Sequence, residues 1–143
     1  MPSHFFADTS FWIALFRSRD QHHHEARVWQ SYLVRTGAFL VTTEAVCWEW
    51  LNAMSDAATR SVAAHGYERI RHDARIEVVP HGVELSAGAI RLFTDRSDKD
   101  WSLTDCLSFT VMGRRNIREA LTADHHFEQA GLRAILSDVP PSI

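Results

Sequence analysis

Four acidic side chains stand out because of where they lie relative to the predicted strands and helices. Asp8 and Asp124 follow strand candidates directly, whereas Glu49 and Asp105 lie early in helices that follow a strand or a polar loop. Three or four converging carboxylates would bind a hard cation such as Mg²⁺ or Mn²⁺, and such ions activate water for phosphoryl transfer. A lone Asp or Glu is more often a solvated group or a helix cap. The chemistry therefore depends on whether the fold brings these acids together.

The elements that must position the acids alternate between strand and helix. Short apolar runs predict strands at 5–7, 38–42, 76–79, 120–122 and 133–136. Helical periodicity predicts helices at 11–16, from 22 to a stop at Gly37, 43–52, 55–71, 84–93 and 103–112, with a short one through Phe127. Thr43 and Ser102 are the expected N-caps of the helices at 43–52 and 103–112. This alternation predicts a central parallel sheet of four to five strands with helices on both faces. Ligands of such sheets bind beyond the carboxyl ends of the strands. Asp8 and Asp124 would lie at that edge.

Length and composition restrict the class of protein. The 143 residues predict a single domain spanning 1–143, and the net charge of −3 argues against a general nucleic-acid coat protein, which needs a basic excess. An enzyme that holds phosphate through metal ions is compatible with this charge. Cys47 and Cys106 lie in apolar runs, which favours two buried thiols over a disulfide. The start of the chain lacks the features of a signal peptide, and no apolar run approaches the ~20 residues of a membrane span, so we expect a cytoplasmic protein.

Four local motifs occur in an order and at separations that resemble a known family. They are DTS at 8–10 after an apolar strand, TTEAVCWEWLN at 42–52, WSLTDCLSF at 101–109 and ALTADHHFEQAG at 120–131. Together they resemble the PIN domain, and most closely the VapC-type toxins of bacterial toxin–antitoxin pairs. The resemblance covers nearly the whole chain. It implies a PIN-like three-layer α/β/α domain and a metal-dependent endoribonuclease that is usually dimeric and is held inactive by a cognate antitoxin.

The resemblance also implies the site residues. Asp8 matches the family's first acid, Glu49 the acid in the helix after the second strand, Asp105 the acid of the Ser-Leu-Thr-Asp motif, and Asp124 the acid before the His-Phe pair. These four would hold one or two Mg²⁺ ions, with Mn²⁺ as an alternative. Metal-bound water would then attack the RNA phosphodiester bond, so no protein nucleophile is needed.

Supporting residues and one alternative ligand complete the expected site. Ser10, or Thr9, matches the hydroxyl residue that orients the first acid. Asn52 lies three residues after Glu49 on the same helical face, where its amide could support the carboxylate. Glu44 is an alternative to Glu49 if the helix begins later than expected. Asp100 is a further candidate, although its charged loop favours a cap or a solvated group.

Other classes of function remain open from the sequence. A catalytically silent PIN-like module that binds RNA or protein would share these motifs, as would a housekeeping RNA-processing nuclease. The motifs do not indicate which RNA is cut. The motifs also leave the antitoxin-binding surface undetermined. The resemblance to VapC-type toxins implies that an antitoxin would insert an apolar helix into a groove and place a basic side chain among the carboxylates.

Aromatic and basic residues suggest where RNA could be contacted. Trp12 near Asp8 and Trp101 near Asp105 are the two tryptophans placed to stack on bases, although most aromatic residues here occupy apolar stripes typical of core. Arg114, Arg115 and Arg118 form the densest basic cluster. They are candidates for contacts with RNA phosphates or with an acidic antitoxin segment, and equally for a solvated helix end.

Overall fold

The computed structural model describes residues 3–142, so the first two residues and the last residue of the expected 1–143 domain lie outside it. Five strands and seven helices make up the described chain. The strands are β1 (His4–Ala7), β2 (Phe39–Thr43), β3 (Ile76–Val79), β4 (Glu119–Leu121) and β5 (Arg133–Ala134). The helices are α1 (Thr9–Phe16), α2 (His23–Thr36), α3 (Glu44–Ala53), α4 (Arg60–Arg71), α5 (Val83–Asp95), α6 (Leu103–Arg115) and α7 (His126–Gln129).

All five strands form one parallel sheet in the order β3-β2-β1-β4-β5. The chain builds outward from β1 through β2 to β3, then crosses back to add β4 and β5 on the other side. Right-handed crossovers in opposite directions place α1–α4 on one face and α5–α7 on the other. The result is the predicted three-layer α/β/α arrangement, whose topological switch point lies between β1 and β4.

The central strand β1 is buried on both faces because side chains alternate along a strand. The ring of Phe5 packs edge-on against Trp29 of α2 at 5.8 Å, whereas Phe6 faces Phe127 of α7 at 6.4 Å. Helices on both faces of the sheet therefore cover the apolar run at 5–7 that predicted this strand. This packing holds the carboxyl end of β1 in the middle of the molecule.

Local capping explains where the helices near the site begin. The Thr43 hydroxyl accepts a hydrogen bond from the Val46 N–H and starts α3, as its position in the sequence predicts. Ser102 starts α6 with a capping box, in which Asp105 accepts from the Ser102 N–H. Gly37 ends α2 in the left-handed conformation at φ 68°, which glycine adopts without steric cost.

Several predicted boundaries are wrong; α1, α5 and α6, for example, extend two or three residues beyond the predicted ends. The helix expected from residue 55 begins at Arg60, because the Asp56 carboxylate accepts hydrogen bonds from the Ala58 and Thr59 N–H groups and closes a turn there. The fifth strand covers Arg133–Ala134 rather than four residues. Cys47 and Cys106 are free, buried thiols, as predicted. No helix within residues 3–142 is long and apolar enough to cross a membrane.

Candidate active site at the carboxyl ends of β1 and β4

The candidate site is built on the two strands at the switch point. Ala7 pairs with Leu121, so the next residues, Asp8 and Thr122, lie side by side where β1 and β4 end. The Thr122 hydroxyl donates a hydrogen bond of 2.7 Å to Asp8 Oδ2. The Thr122 hydroxyl oxygen also accepts from the Asp124 N–H at 3.0 Å. One threonine thus connects the first and last acids of the predicted set.

Asp8 is a buried carboxylate in an unfavourable electrostatic environment. Its side chain is 5% exposed, and burial raises its pKa from 3.8 to about 7. The hydrogen bonds from Thr122 and from the Thr9 backbone oppose this rise, whereas the charges of Asp105 and Glu49 add to it. Asp105 and Glu49 raise the pKa because a neighbouring negative charge disfavours ionisation of a carboxyl group. Two of the three other predicted acids therefore act electrostatically on Asp8.

The two predicted supporting hydroxyls differ in what they contact. Ser10 Oγ lies 3.2 Å from Thr122 Oγ1 and accepts a hydrogen bond from the Ala123 N–H. Because the Thr122 hydrogen is directed at Asp8, Ser10 acts on that carboxylate through Thr122 rather than directly. The Thr9 hydroxyl is buried and has no hydrogen-bond partner among the described residues, although the Thr9 backbone bonds to Asp8.

Asp105 enters the site from the first turn of α6. The capping box fixes its carboxylate, since Oδ2 accepts from the Ser102 N–H at 3.1 Å. The same oxygen lies 3.0 Å from Nδ1 of His126. The Asp105 oxygen accepts in this contact when the His126 ring carries its hydrogen on Nδ1. The motif Ser-Leu-Thr-Asp therefore serves both as a helix cap and as the support of a buried acid.

Asp124 and two histidines form the tightest group of possible metal ligands among residues 3–142. Ligand atoms of Asp124, His125 and His126 all lie within 4.8 Å of one another. The Asp124 carboxylate also accepts from the His126 N–H at 2.9 Å. His126 thus contacts both Asp105 and Asp124, which come from different elements. Of the four predicted acids, Asp124 belongs to this group, whereas Asp8, Glu49 and Asp105 do not.

Glu49 and Glu44 lie in different surroundings, although both belong to α3. Glu49 is exposed and its charge acts on Asp8, whereas Glu44 accepts a hydrogen bond of 2.7 Å from the His81 N–H. The Glu44 carboxylate is therefore hydrogen-bonded to the connection between β3 and α5. Asn52 and Asp100 are both exposed, and no hydrogen bond joins Asn52 to Glu49 in the part of the chain that the structure describes.

Two residues that the sequence analysis did not assign to the site have direct contacts there. The sequence predicts Thr122 only as part of the fourth strand. It predicts His125 and His126, beside Asp124, either as a pair that contacts substrate or as a helix end. Thr122 could be predicted from its position beside Asp8 at the end of the neighbouring strand, but only once the pairing of β1 with β4 is known. The contact between His126 and Asp105 joins residues 21 apart, so nothing local predicts it.

The donor set suits a hard divalent cation. Asp8, Glu49, Asp105 and Asp124 present carboxylate oxygens, the ligand type that Mg²⁺ and Mn²⁺ prefer. No Lys or Arg among residues 3–142 forms an ion pair with any of the four; the only pairs are those of Asp105 and Asp124 with histidines. A bound cation would offset the burial that raises the pKa of Asp8 and the smaller contribution from the charges of Asp105 and Glu49.

Comparison with known proteins identifies the family. A family model for the PIN domain matches residues 5–132. The "23S rRNA-specific endonuclease VapC20" of two Mycobacterium tuberculosis strains is 28% identical over 127 residues, covering 88% of this chain and 93% of the relative. The crystal structure of the same M. tuberculosis protein, a "Sarcin-Ricin loop cleaving toxin", has a TM-score of 0.81 at 26% identity, covering 92% of this chain and 98% of that one.

A second solved structure supports the fold alone. It is VapBC2 from Rickettsia felis bound to a promoter DNA fragment, with a TM-score of 0.68 at 11% identity, covering 92% of this chain and 97% of that one. The predictions of a PIN-like α/β/α fold, of likeness to VapC-type toxins and of a ribonuclease as the class of enzyme are thereby confirmed. The chain belongs to the PIN domain family.

Proposed function

We propose that this protein is a Mg²⁺-dependent endoribonuclease that acts as the toxin of a toxin–antitoxin pair in the cytoplasm. The observation that carries the proposal is the environment of Asp8. Its carboxylate is buried at the switch point of the sheet, and this burial raises its pKa. The charges of Asp105 and Glu49 add to the rise, and no basic side chain of residues 3–142 is paired with Asp8. A structural carboxylate would be paired or exposed. A role in binding a cation would explain why Asp8 is buried without a basic partner.

Each acid has a role in this proposal. Asp8, Glu49, Asp105 and Asp124 would hold the cation, which would supply an activated water and stabilise charge at the phosphate. Thr122, oriented by Ser10, holds Asp8 in place through its 2.7 Å hydrogen bond. His126 holds Asp105 toward Asp124. Thr9 and Asn52 remain predicted supporting residues.

The partners proposed are RNA as substrate, an antitoxin and a second copy of the chain. The relatives' name makes 23S ribosomal RNA the first substrate to test. A hollow of about 380 Å³ between α1, α2 and α4 has an apolar floor that includes Phe11, Leu15 and Leu33 and a rim that includes Arg69. We propose that it receives the apolar helix of the antitoxin. Exposed apolar side chains at the end of α5 and the start of α6, Ile90, Phe93 and Leu103, support the proposed homodimer.

The decisive experiment is cleavage of bacterial RNA that includes 23S ribosomal RNA, with Mg²⁺, with Mn²⁺ and with EDTA. We expect Asp105→Asn to lower the cleavage rate by about 100-fold or more. Loss of a residue that only supports a metal ligand already costs up to about 100-fold in activity, and Asp105 is proposed to be a ligand itself. The substitution keeps an oxygen that caps α6, so the fold should survive. Asp100→Asn, at an exposed acid just before α6, is the matched control and should cleave normally.

Glu49→Gln and Glu44→Gln separate the two candidates on α3. We expect Glu49→Gln to lose cleavage and Glu44→Gln to retain it. RNA that stays intact under every metal condition, with a folded protein, would favour the alternative of a silent RNA- or protein-binding module. Cleavage that persists in EDTA would overturn the metal-dependent mechanism.

A further inference from the structure

We propose that Trp48 and His81 form a platform on which an unpaired base of the RNA substrate stacks beside the acidic site. The proposal rests on the proposed ribonuclease function and adds a residue-level binding surface to it. It also replaces the two tryptophans that the sequence analysis placed near RNA. Trp12 is 1% exposed and Trp101 is 6% exposed, so neither can stack on a base.

Trp48 is exceptional among the five tryptophans of the chain. Its side chain is 48% exposed, whereas Trp29 and Trp50 are almost fully buried like Trp12 and Trp101. A tryptophan that stays partly exposed offers a large, rigid aromatic surface to a ligand. Nucleobases are suited to this because every base has a flat π-face, and stacking on aromatic side chains is tolerant of sequence.

The platform is held in place before any ligand binds. The rings of Trp48 and His81 lie 4.9 Å apart, centroid to centroid, with 51° between their planes. Glu44 lies one helical turn before Trp48 on α3, and its carboxylate accepts the His81 N–H at 2.7 Å. The connection after β3 is thus tied to the same face of α3 that carries Trp48. A preorganised pair of this kind loses little entropy when a base binds.

The platform lies at the same edge of the sheet as the acids. Trp48 belongs to the helix that follows β2, and His81 to the connection that follows β3. Because β1, β2 and β3 are parallel neighbours, their carboxyl ends share one edge. Trp48 also immediately precedes Glu49, whose charge acts on Asp8. A strand of RNA whose phosphate lies at the acids can therefore extend along this edge toward Trp48.

A hollow next to the platform carries two arginines that suit the phosphate backbone of the same strand. The hollow has a volume of about 350 Å³ and is lined by Pro80 and Gly82 on either side of His81, by Arg114 and Arg115, and also by Glu84 and apolar side chains. Arg115 is engaged with Glu77, with Nη2 2.8 Å from Oε2. Arg114 forms no ion pair among residues 3–142. Aromatic and cationic side chains side by side are the combination that binds single-stranded RNA.

The surroundings favour RNA over a second protein copy as the occupant. Two carboxylates flank Trp48 in α3: Glu44, which accepts from the His81 N–H, and Glu49, whose charge the proposed cation would offset. The core of a protein interface would have to bury both, and such cores are depleted of charged residues. A stable dimer buries roughly 800 Å² on each partner, far more than one indole and one imidazole present. The apolar side chains proposed for the dimer, Ile90 and Phe93, lie farther along α5.

The test measures binding of an end-labelled, short single-stranded RNA of mixed sequence by fluorescence anisotropy. The parent protein is Asp105→Asn in Mg²⁺, so that the probe stays intact. We expect Trp48→Ala to weaken binding by about tenfold or more and Trp48→Phe to bind within about threefold of the parent, because phenylalanine keeps a stacking face. Val62→Ala is the matched control, since Val62 is also 48% exposed but lies on α4.

Two further readouts separate stacking from a general loss of structure. With Asp105 intact, Trp48→Ala should raise KM for RNA cleavage with little change in kcat. RNA should protect tryptophan fluorescence of the parent from acrylamide, and this protection should be absent in Trp48→Phe. Arg114→Gln should lower the slope of log affinity against log salt by about one, as expected for one lost phosphate contact.

The outcomes distinguish this proposal from the one it rests on. Unchanged RNA affinity in Trp48→Ala overturns the platform, while cleavage by the wild-type chain leaves the ribonuclease function standing. A change of oligomeric state in Trp48→Ala, measured by sedimentation, would assign the surface to a second copy and also overturn it. Failure of the wild-type chain to cut any RNA contradicts the proposed function directly, without reference to Trp48.

Discussion

At the scale of single residues, the buried carboxyl group of Asp8 lowers the free energy of unfolding when it is ionised. Its pKa of about 7 in the fold exceeds the ordinary 3.8, so the folded state favours the protonated form. In the metal-free protein, the free energy of unfolding relative to that of Asp8→Asn should therefore be highest below about pH 4 and should fall as the pH rises through 7. Above that pH the loss approaches about 4 kcal/mol, at 1.36 kcal/mol per pKa unit.

This prediction is checked by thermal unfolding in EDTA across that pH range. Asp8→Asn should melt above the wild type at pH 8 and show a weaker dependence on pH. Mg²⁺ should raise the melting temperature of the wild type at pH 8 but not that of Asp8→Asn, because only the ionised carboxylate binds it. Asp95→Asn, at an exposed acid, should behave as wild type. Parallel pH profiles for Asp8→Asn and wild type would mean that Asp8 is ionised without cost.

At the scale of elements, the close contact of α1 with α4 depends on one glycine. A Cβ at Gly66 of α4 would lie 2.7 Å from a ring carbon of Phe16, whose ring is stacked on Trp50 at 5.1 Å. The stacked ring has little room to move, so Gly66→Ala should destabilise the protein by about 1–3 kcal/mol despite the better helix propensity of alanine.

Gly113 of α6 provides the matched control for this prediction. A Cβ there would meet nothing within 4 Å, so Gly113→Ala should stabilise the protein by roughly 0.5–1 kcal/mol. Urea unfolding of the two variants measures both effects as shifts of the midpoint. A midpoint for Gly66→Ala at or above that of the wild type would show that α1 and α4 separate without cost.

At the scale of the whole molecule, the apolar hollow and the acidic edge lie on separate parts of the surface. Val34 of α2 lines the hollow and is 67% exposed, so Val34→Asp should leave the fold and RNA cleavage intact. We expect it to weaken inhibition by the proposed antitoxin, taken as the product of a short reading frame next to this gene, by tenfold or more (~1.4 kcal/mol) because a charge would be buried in the interface.

Val28→Asp is the control, because Val28 lies on the same helix, is 38% exposed and does not line the hollow. Titration of RNA cleavage with the antitoxin measures both variants. Equal inhibition of wild type and Val34→Asp would place the antitoxin on another surface. Light scattering of the wild-type chain alone tests the proposed homodimer separately.

Much of the fold was predictable because its signals are local. The apolar run before Asp8 predicts a buried strand, Thr43 and Ser102 cap the helices that they were expected to start, and Gly37 ends a helix. The boundary at Arg60 was missed because side-chain hydrogen bonds of Asp56 compete with the helical pattern. Such competition is invisible in hydrophobic periodicity.

The sequence by itself determined the family, the alternating strands and helices, and the four acids proposed as the site, because motifs and periodicity are properties of neighbouring residues. Only the tertiary structure decided that Thr122 joins Asp8 to Asp124, that His126 contacts Asp105, and that Trp48 is exposed while Trp12 and Trp101 are buried. These features depend on strand register and on which helix covers which face. Both are contacts between residues far apart in the chain, and a local pattern carries no information about them.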